Sequence, residues 1–94
     1  MRGNIRKFLR GPKGKKYTAV LRNGEKINFG GEGYEQYKDR IGLYSHMDHG
    51  DKVRRKRYFL RHSGVPTKEK ALQKELNKSG GKLNAKILSH QYLW

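Results

Sequence analysis

The segment from His46 to Asp51 contains the residues of this chain that are best suited to chemistry. It reads His-Met-Asp-His-Gly-Asp, so His46, Asp48 and His49 could supply ligands for a metal ion. No cysteine is present, and no second regularly spaced pair of ligands follows. The plainer interpretation is a polar loop whose aspartates cap turns and the next helix, so we expect neither a metal nor a cofactor.

Signals for catalysis are weaker still. None of the four serines stands in a Gly-x-Ser-x-Gly elbow, and no paired carboxylates flank an evident cleft. The glycines from Gly30 to Gly33 follow a predicted strand, as phosphate loops do. They lack the Gly-Lys-Ser/Thr ending of such a loop and the spacing of a dinucleotide-binding motif. We therefore expect a protein that is not an enzyme.

Charge is the dominant property of the chain. Its 94 residues include 23 Lys and Arg against 8 Asp and Glu, a formal charge of +15, and only 33% are hydrophobic. A chain this short forms at most one small domain with a thin core, and no apolar run is long enough to cross a membrane. Its natural partners are polyanions, either nucleic acid or the acidic surface of larger protein subunits.

The basic residues are unevenly distributed. Residues 25–51 contain six acids and three bases, a net of −3, so the rest of the chain carries +18. Solubility alone does not call for so much charge of one sign. We predict that the binding of a polyanion or an acidic partner depends on two groups of residues. These are Arg2, Arg6, Lys7 and Arg10, and then Lys52, Arg54, Arg55, Arg57 and Arg61.

Aromatic residues stand next to several of these cations, as in Lys16-Tyr17 and Arg57-Tyr58. This pattern suits nucleic acid, with cations on phosphates and rings available for stacking. The rings can equally form the buried side of a small helix while the arginines face a partner. No base-reading motif is present, so any binding to DNA or RNA would be directed at the backbone and independent of sequence.

An α+β fold is expected, with an N-terminal hairpin, one or two short helices and a basic arm over residues 1–15. Ile5, Phe8 and Leu9 have helical spacing, so the arm either forms a short amphipathic turn or becomes ordered only on a partner. Residues 16–94 form the domain. Its hairpin turns at Asn23-Gly24, a sequence typical of a two-residue type I′ turn. Such a turn pairs Arg22 with Glu25, Val20 with Ile27, and Thr18 with Phe29.

Two helices and an apolar tail are predicted to follow. Asp51 is a suitable N-cap and Gly64 a suitable C-terminal stop for the basic helix between them. Thr67 can cap a second helix that ends near Asn77, with Leu72 and Leu76 on its buried side. The last residues are apolar, and aromatic side chains are seldom left in water. We expect an apolar anchor that docks on the hairpin or on a neighbouring molecule, formed by Tyr92, Leu93 and Trp94.

Six segments of the sequence form a combination that can be compared with known families. They are Lys15-Lys16-Tyr17, Asn23-Gly24 through Phe29-Gly30, Tyr34-x-x-Tyr37, His46 with Asp48, Arg54 through His62, and Leu88-Ser89 through Leu93-Trp94. Taken together, these segments resemble a family of small basic proteins of nucleocytoplasmic large DNA viruses, the giant viruses. The resemblance covers about residues 15–94. Lys56 and Arg57, between the arginine pair and Tyr58, make this helix more basic than the family pattern requires.

The resemblance implies a non-enzymatic structural component of a virus particle, either a minor capsid protein or an internal virion protein. Such a protein would bridge larger capsid subunits through its basic surface. It would reside in the virion, and in the host cytoplasm or nucleus during assembly. The alternative is a sequence-nonspecific nucleic-acid-binding protein that packages a genome or sits on ribosomal RNA.

Overall fold

The computed structural model describes residues 4–94, so Arg2 lies outside the described residues. The described chain divides into two compact units, residues 4–34 and residues 35–94. The first is a three-stranded antiparallel sheet, and the second carries three helices. The predicted α+β class is confirmed. Within residues 4–94, no helix has both the length and the apolar character needed to span a bilayer.

The sheet is built from β1 (Ile5–Arg10), β2 (Lys15–Leu21) and β3 (Lys26–Gly31), in the order β1-β2-β3. The helical turn considered for the start of the chain is wrong, because these residues form β1. Pairing with β2 supplies hydrogen-bond partners along one edge of β1, and the Phe8 ring contacts the rings of Tyr17 and Phe29. The central strand β2 is buried from its second residue to its end.

The hairpin between β2 and β3 is confirmed, but its predicted register is wrong by one residue. Ala19 pairs with Ile27, and Tyr17 with Phe29. A type I′ turn needs a positive φ at both Asn23 and Gly24. Gly24 has φ +88°, but within residues 4–94 only glycines have a positive φ, so Asn23 does not adopt the type I′ conformation. The Asn23 side chain instead accepts a hydrogen bond from the Glu25 N–H at 2.9 Å. The loop therefore contains three residues, and the one-residue shift exchanges the two faces of β2 relative to β3.

The predicted caps of the first helix, Asp51 and Gly64, are confirmed. Helix α1 is Lys52–Ser63, and the Asp51 carboxylate accepts hydrogen bonds from the N–H groups of Val53 and Arg54. Gly64 follows with φ 72° in the left-handed region, which ends the helix. Before α1, residues 35–51 form an irregular segment that contains a single 3-10 turn, Ser45–Met47.

The second helix, α2 (Lys68–Lys78), forms where it is predicted and ends one residue later. Thr67 occupies the N-cap position, but its side chain makes no capping hydrogen bond. The buried positions are Ala71 and Glu75, whereas Leu72 and Leu76 are only half-buried. The predicted leucine stripe therefore lies beside the buried face of α2. That face contains Ala71 and the carboxylate of Glu75.

The third helix, α3 (Ala85–Tyr92), is absent from the sequence-based prediction, which treats this region as an apolar tail. Asn84 caps it, since its side-chain oxygen accepts a hydrogen bond from the Ile87 N–H at 2.9 Å. Ile87 and Leu88 are fully buried. Each of the three helices thus contributes buried side chains to the second unit, which we call the helical unit.

Candidate binding surface and buried network of the helical unit

The histidine-aspartate segment builds a loop. The Asp48 carboxylate accepts hydrogen bonds from the Gln36 side chain at 2.6 Å and from the Asp39 N–H at 2.8 Å. The His49 Nδ1 accepts a hydrogen bond from the Asp51 N–H at 2.9 Å. Among residues 4–94, no three His, Asp or Glu side chains are grouped so that they could hold a metal ion. His46, Asp48 and His49 do not converge on one point. Asp48 and His49 instead make hydrogen bonds within the segment that precedes α1.

A chain of hydrogen bonds connects the three helices in the interior of this unit. The Tyr58 hydroxyl lies 2.8 Å from Nδ1 of His90, whose Nε2 lies 2.8 Å from the Ser63 hydroxyl. Ser63 in turn donates to the Glu75 carboxylate at 2.9 Å. His90 is fully buried, and Ser63 and Glu75 are each 5% exposed. Tyr58 and Ser63 belong to α1, Glu75 to α2 and His90 to α3.

The protonation states of Tyr58, His90 and Glu75 determine which groups donate and which accept in these hydrogen bonds. Burial lowers the pKa of His90 to about 4, so the imidazole is neutral at pH 7. Burial also raises the pKa of the Tyr58 hydroxyl, with a smaller contribution from the Glu75 charge. Burial acts to raise the pKa of Glu75, but the Ser63 hydrogen bond and nearby lysines outweigh it, so the net shift is downward. Tyrosine therefore donates to His90 Nδ1, Nε2–H donates to Ser63, and Ser63 donates to an ionised Glu75.

This network contains serine, histidine and glutamate, yet it does not have the arrangement of a hydrolase triad. In a triad the carboxylate orients the histidine, and the histidine takes the proton of the serine. Here the carboxylate contacts the serine directly, and the far side of the histidine faces Tyr58. The group is also closed to solvent. It joins the helices and satisfies their buried polar atoms.

Four cations hold the carboxyl ends of helices α1 and α3. Such contacts complement the helix dipole and satisfy carbonyls that have no partner within their helix. Arg55, one of the predicted anchors, is thus engaged inside the chain, and its guanidinium lies 4.7 Å from the centre of the Tyr37 ring. The contacts are Lys74 to the Ser63 oxygen at 2.7 Å, Lys86 to His62 at 3.1 Å, Lys68 to Gln91 at 2.9 Å, and Arg55 to Trp94 at 2.9 Å.

The face of α1 that points away from the buried network carries two of the predicted anchors, Arg57 and Arg61. Helical periodicity places Val53, Arg57, Leu60 and Arg61 on this side, which we call the outer face. All four are exposed, including 59% of Val53 and 44% of Leu60. Arg54 borders the outer face and forms an ion pair with Glu35 at 2.9 Å. No acidic residue lies within α1. The outer face is therefore both cationic and partly apolar.

The remaining predicted anchors are in other places. Lys52 is exposed on the first turn of α1, near the inner side of the helix. Arg6, Lys7 and Arg10 are exposed on β1, an edge strand of the separate sheet unit. Charged side chains on an edge strand also oppose unwanted pairing with another sheet.

The predicted apolar anchor is folded into its own chain. Tyr92 is 6% exposed and Leu93 is 2% exposed. The Trp94 ring stacks on Tyr58 of α1, with 4.1 Å between ring centres and 4° between ring planes. It also lies 5.2 Å from the His49 ring. The sequence predicts that the apolar end of the chain packs against another surface. The structure shows that α1 provides this surface for the Trp94 ring.

Residues 10–62 match a protein family that is described as a family of unknown function, DUF5754. The chain belongs to this family. The match covers more than half of the chain, from the end of β1 to the last turn of α1. It therefore includes the outer face of α1 but neither α2 nor α3. No curated protein and no solved structure matches the chain.

Proposed function

We propose that this member of DUF5754 is a non-enzymatic structural protein that docks its outer face on the acidic surface of a larger protein subunit. The observation that carries this proposal is the exposure of Val53 and Leu60 beside Arg57 and Arg61 on a helix without acidic residues. The arginines supply electrostatic complementarity, and the apolar side chains supply area that becomes buried in the complex.

The apolar residues favour a protein partner over a phosphate backbone. Phosphates attract the arginines but offer no apolar surface against which Val53 and Leu60 can pack. Within α1, the rings that could stack on bases are also engaged: Tyr58 stacks on Trp94, and Phe59 is 1% exposed. Protein interfaces, in contrast, commonly combine arginine anchors with buried apolar contacts.

The resemblance to giant-virus proteins supplies the setting of this proposal, a minor capsid or internal virion protein that bridges larger capsid subunits. The two compact units suit a bridging role, because each presents exposed cations: the outer face in one unit and β1 in the other. The family itself has no assigned function, so the capsid setting depends on the resemblance while the docking surface depends on the geometry of α1.

Nucleic-acid binding is the second candidate. It is favoured by the six cations of α1 and by the exposed cations of β1. Such binding would be directed at phosphates, and its affinity would fall steeply with salt concentration. Neither cationic group carries a motif that reads bases.

The experiment that tests the proposal compares two double variants of the full chain. Arg57→Glu/Arg61→Glu removes the charge complementarity, and Val53→Ser/Leu60→Ser removes only the apolar contacts. A matched control, Lys70→Glu/Lys82→Glu, makes the same charge change at exposed lysines outside α1. Binding is measured by co-sedimentation with genome-free particles of a giant virus and by fluorescence anisotropy with a labelled DNA duplex.

We expect co-sedimentation to be lost in both outer-face variants and retained in the control. We expect DNA binding, where it occurs at low salt, to survive Val53→Ser/Leu60→Ser because serine does not alter the charge. Strong salt-dependent DNA binding, without co-sedimentation of the wild-type chain, would overturn the docking proposal in favour of the nucleic-acid candidate.

A further inference from the structure

A second basic feature of the helical unit lies on the inner flank of α1, away from the outer face. It is a cleft of about 520 Å³ between α1 and the start of α2, open to solvent. Phe59 and Pro66 supply its apolar wall. Its polar lining consists of Thr67 and four cations, Lys52, Arg55, Lys56 and Lys68. None of the residues that line it is acidic, so its positive charge is not compensated from within.

The four cations are held in different ways. Lys68 and Arg55 are fixed, because their nitrogens donate to the backbone oxygens of Gln91 and Trp94. Lys52 and Lys56 lie one helical turn apart on α1 and are exposed. Neither has a carboxylate within ion-pair distance among the described residues. Three of the four cations therefore belong to α1, and Lys68 lies on the other side of the cleft, at the start of α2.

Like charges held this close repel one another. Burial is the main reason that the pKa of Lys68 falls to about 8, and the charges of Arg40 and Arg55 lower it further. A bound anion would offset this repulsion and favour the charged form of Lys68. The cleft is thus a place where an anion lowers the free energy of the folded chain more than that of the unfolded chain.

The types of cation indicate which anion fits. Arginine recognises both carboxylate and phosphate through its paired N–H groups, whereas lysine acts as a compact point charge and commonly binds phosphate. A site made mainly of lysines therefore lacks the paired donors that fit a planar carboxylate and suits the dense charge of phosphate groups. Three of the four cations here are lysines, and Nε of the single arginine is already occupied by Trp94. A volume of about 520 Å³ also exceeds the size of one phosphate group.

We propose that this cleft binds a small polyphosphate anion, a ligand with two or more linked phosphate groups. Lys52 and Lys56 contact one end of the anion, and Lys68 contacts the other. The Thr67 hydroxyl, which makes no capping hydrogen bond to α2, lies at the same cleft as a further donor. This site is separate from the outer face, so it does not depend on the docking function proposed above.

The test uses tripolyphosphate as the probe, with binding to the full chain measured by isothermal titration calorimetry and by the shift of the melting temperature. Ionic strength is held constant with sodium chloride. The test variant is Lys52→Gln/Lys56→Gln, which leaves the backbone contact of Lys68 intact. The matched control, Arg57→Gln/Arg61→Gln, removes the same charge from the outer face.

We expect saturable binding of tripolyphosphate with an increase in melting temperature, and weaker binding of inorganic phosphate. Because charge-assisted contacts are the stronger class of hydrogen bond, the test variant should bind roughly tenfold or more weakly, whereas the control should bind like the wild type. No saturable binding to the wild-type chain would overturn the proposal. Equal losses in the two variants would also overturn it, since they indicate diffuse attraction to net charge.

These outcomes are distinguishable from failure of the docking function. The control variant is expected to lose co-sedimentation with capsids while it keeps tripolyphosphate binding. Lys52→Gln/Lys56→Gln should show the reverse. A variant that loses both properties and also melts at a lower temperature than the wild type without ligand is damaged in its fold. In that case the single variants Lys52→Gln and Lys56→Gln decide the matter.

Discussion

Both units of this chain bury apolar side chains, and the helical unit adds a hydrogen-bonded chain of polar side chains. The sheet unit packs three rings on one face, with Phe29 located 5.7 Å from Tyr17 and 6.1 Å from Phe8 between ring centres. The helical unit buries Phe59, Ile87 and Leu88, and it also contains a hydrogen-bonded chain of polar side chains from Tyr58 through His90 to Glu75. Both units are small and basic, so their difference lies in how the core is held and not in composition.

This difference predicts how the stability of each unit depends on pH and on mutation. Contacts between apolar rings do not depend on protonation, so the core of the sheet should be insensitive to mild acid. A buried polar chain stabilises the fold only while every donor faces an acceptor. One proton added to the helical unit breaks that match. The two units should therefore respond differently to mutation and to pH.

The largest effect is expected from Phe29→Ala in the sheet. Phe29 is fully buried, and its truncation should lower the free energy of unfolding by about 3–5 kcal/mol, as for other large-to-small changes of aromatic core residues. Hydrogen exchange of the β2 amides measures the loss. Leu9→Ala, on the edge strand and 42% exposed, is the matched control and should change these rates little. The loss should be equal at pH 7 and pH 5; a loss that depends on pH would contradict the apolar account.

The next effect is the acid sensitivity of the helical unit. His90 has a pKa near 6.5 in the unfolded chain and about 4 in the folded chain, so between these values the unfolded state binds more protons. Stability is therefore full above pH 6.5, falls as pH decreases through this window, and levels off below pH 4 as far as His90 is concerned. The difference in pKa corresponds to a loss of up to about 3 kcal/mol.

Other charges surround His90 and set the size of this effect. Glu75 faces it from α2 and opposes the shift, whereas His62, Lys86 and Lys68 enhance it. Hydrogen exchange of the α1 and α3 amides between pH 7 and pH 4 tests the prediction. His90→Gln retains a donor and an acceptor but does not titrate, so its stability should vary less with pH. A slope as steep as that of the wild type would show that other groups cause the acid sensitivity.

The smallest effect concerns the start of α3, the helix that positions His90. Asn84→Ala removes the hydrogen bond to the Ile87 N–H and should cost about 1 kcal/mol. Asn84→Asp is the control, because a carboxylate accepts the same hydrogen bond and complements the helix dipole. Exchange of the α3 amides should become faster in the alanine variant and not in the aspartate variant. Equal rates in the two variants would mean that this cap contributes nothing measurable.

Local signals predict local structure well in this chain. Asp51 and Gly64 mark the ends of α1 because a cap depends on a few neighbouring atoms. The register of the hairpin is not predicted, since Asn-Gly suits both a two-residue turn and the second and third residues of a three-residue loop. The hydrogen bond from the Glu25 N–H to the Asn23 side chain belongs to the longer loop. The φ of Asn23 is not positive, so the type I′ turn and the register that it implies are excluded.

The candidate sites are less predictable because they depend on contacts between helices. The cations of α1 are visible in the sequence, but only the fold separates the outer face from Arg55, which contacts Trp94. Nothing in the spacing of Ser63, Glu75 and His90 indicates that they meet. The cap residue Asn84 was a signal for α3, but the apolar run that follows it conceals the helical period.

The stacking of Trp94 on Tyr58 has a practical consequence. Trp94 is the single tryptophan of the chain, so its emission reports the surroundings of one indole in the helical unit. Its ring lies 4.1 Å from Tyr58, which bonds to His90, and 5.2 Å from His49. Loss of the stack exposes the indole to water and shifts its emission to longer wavelength. The chain thus contains an intrinsic optical probe of its helical unit, one that requires no label.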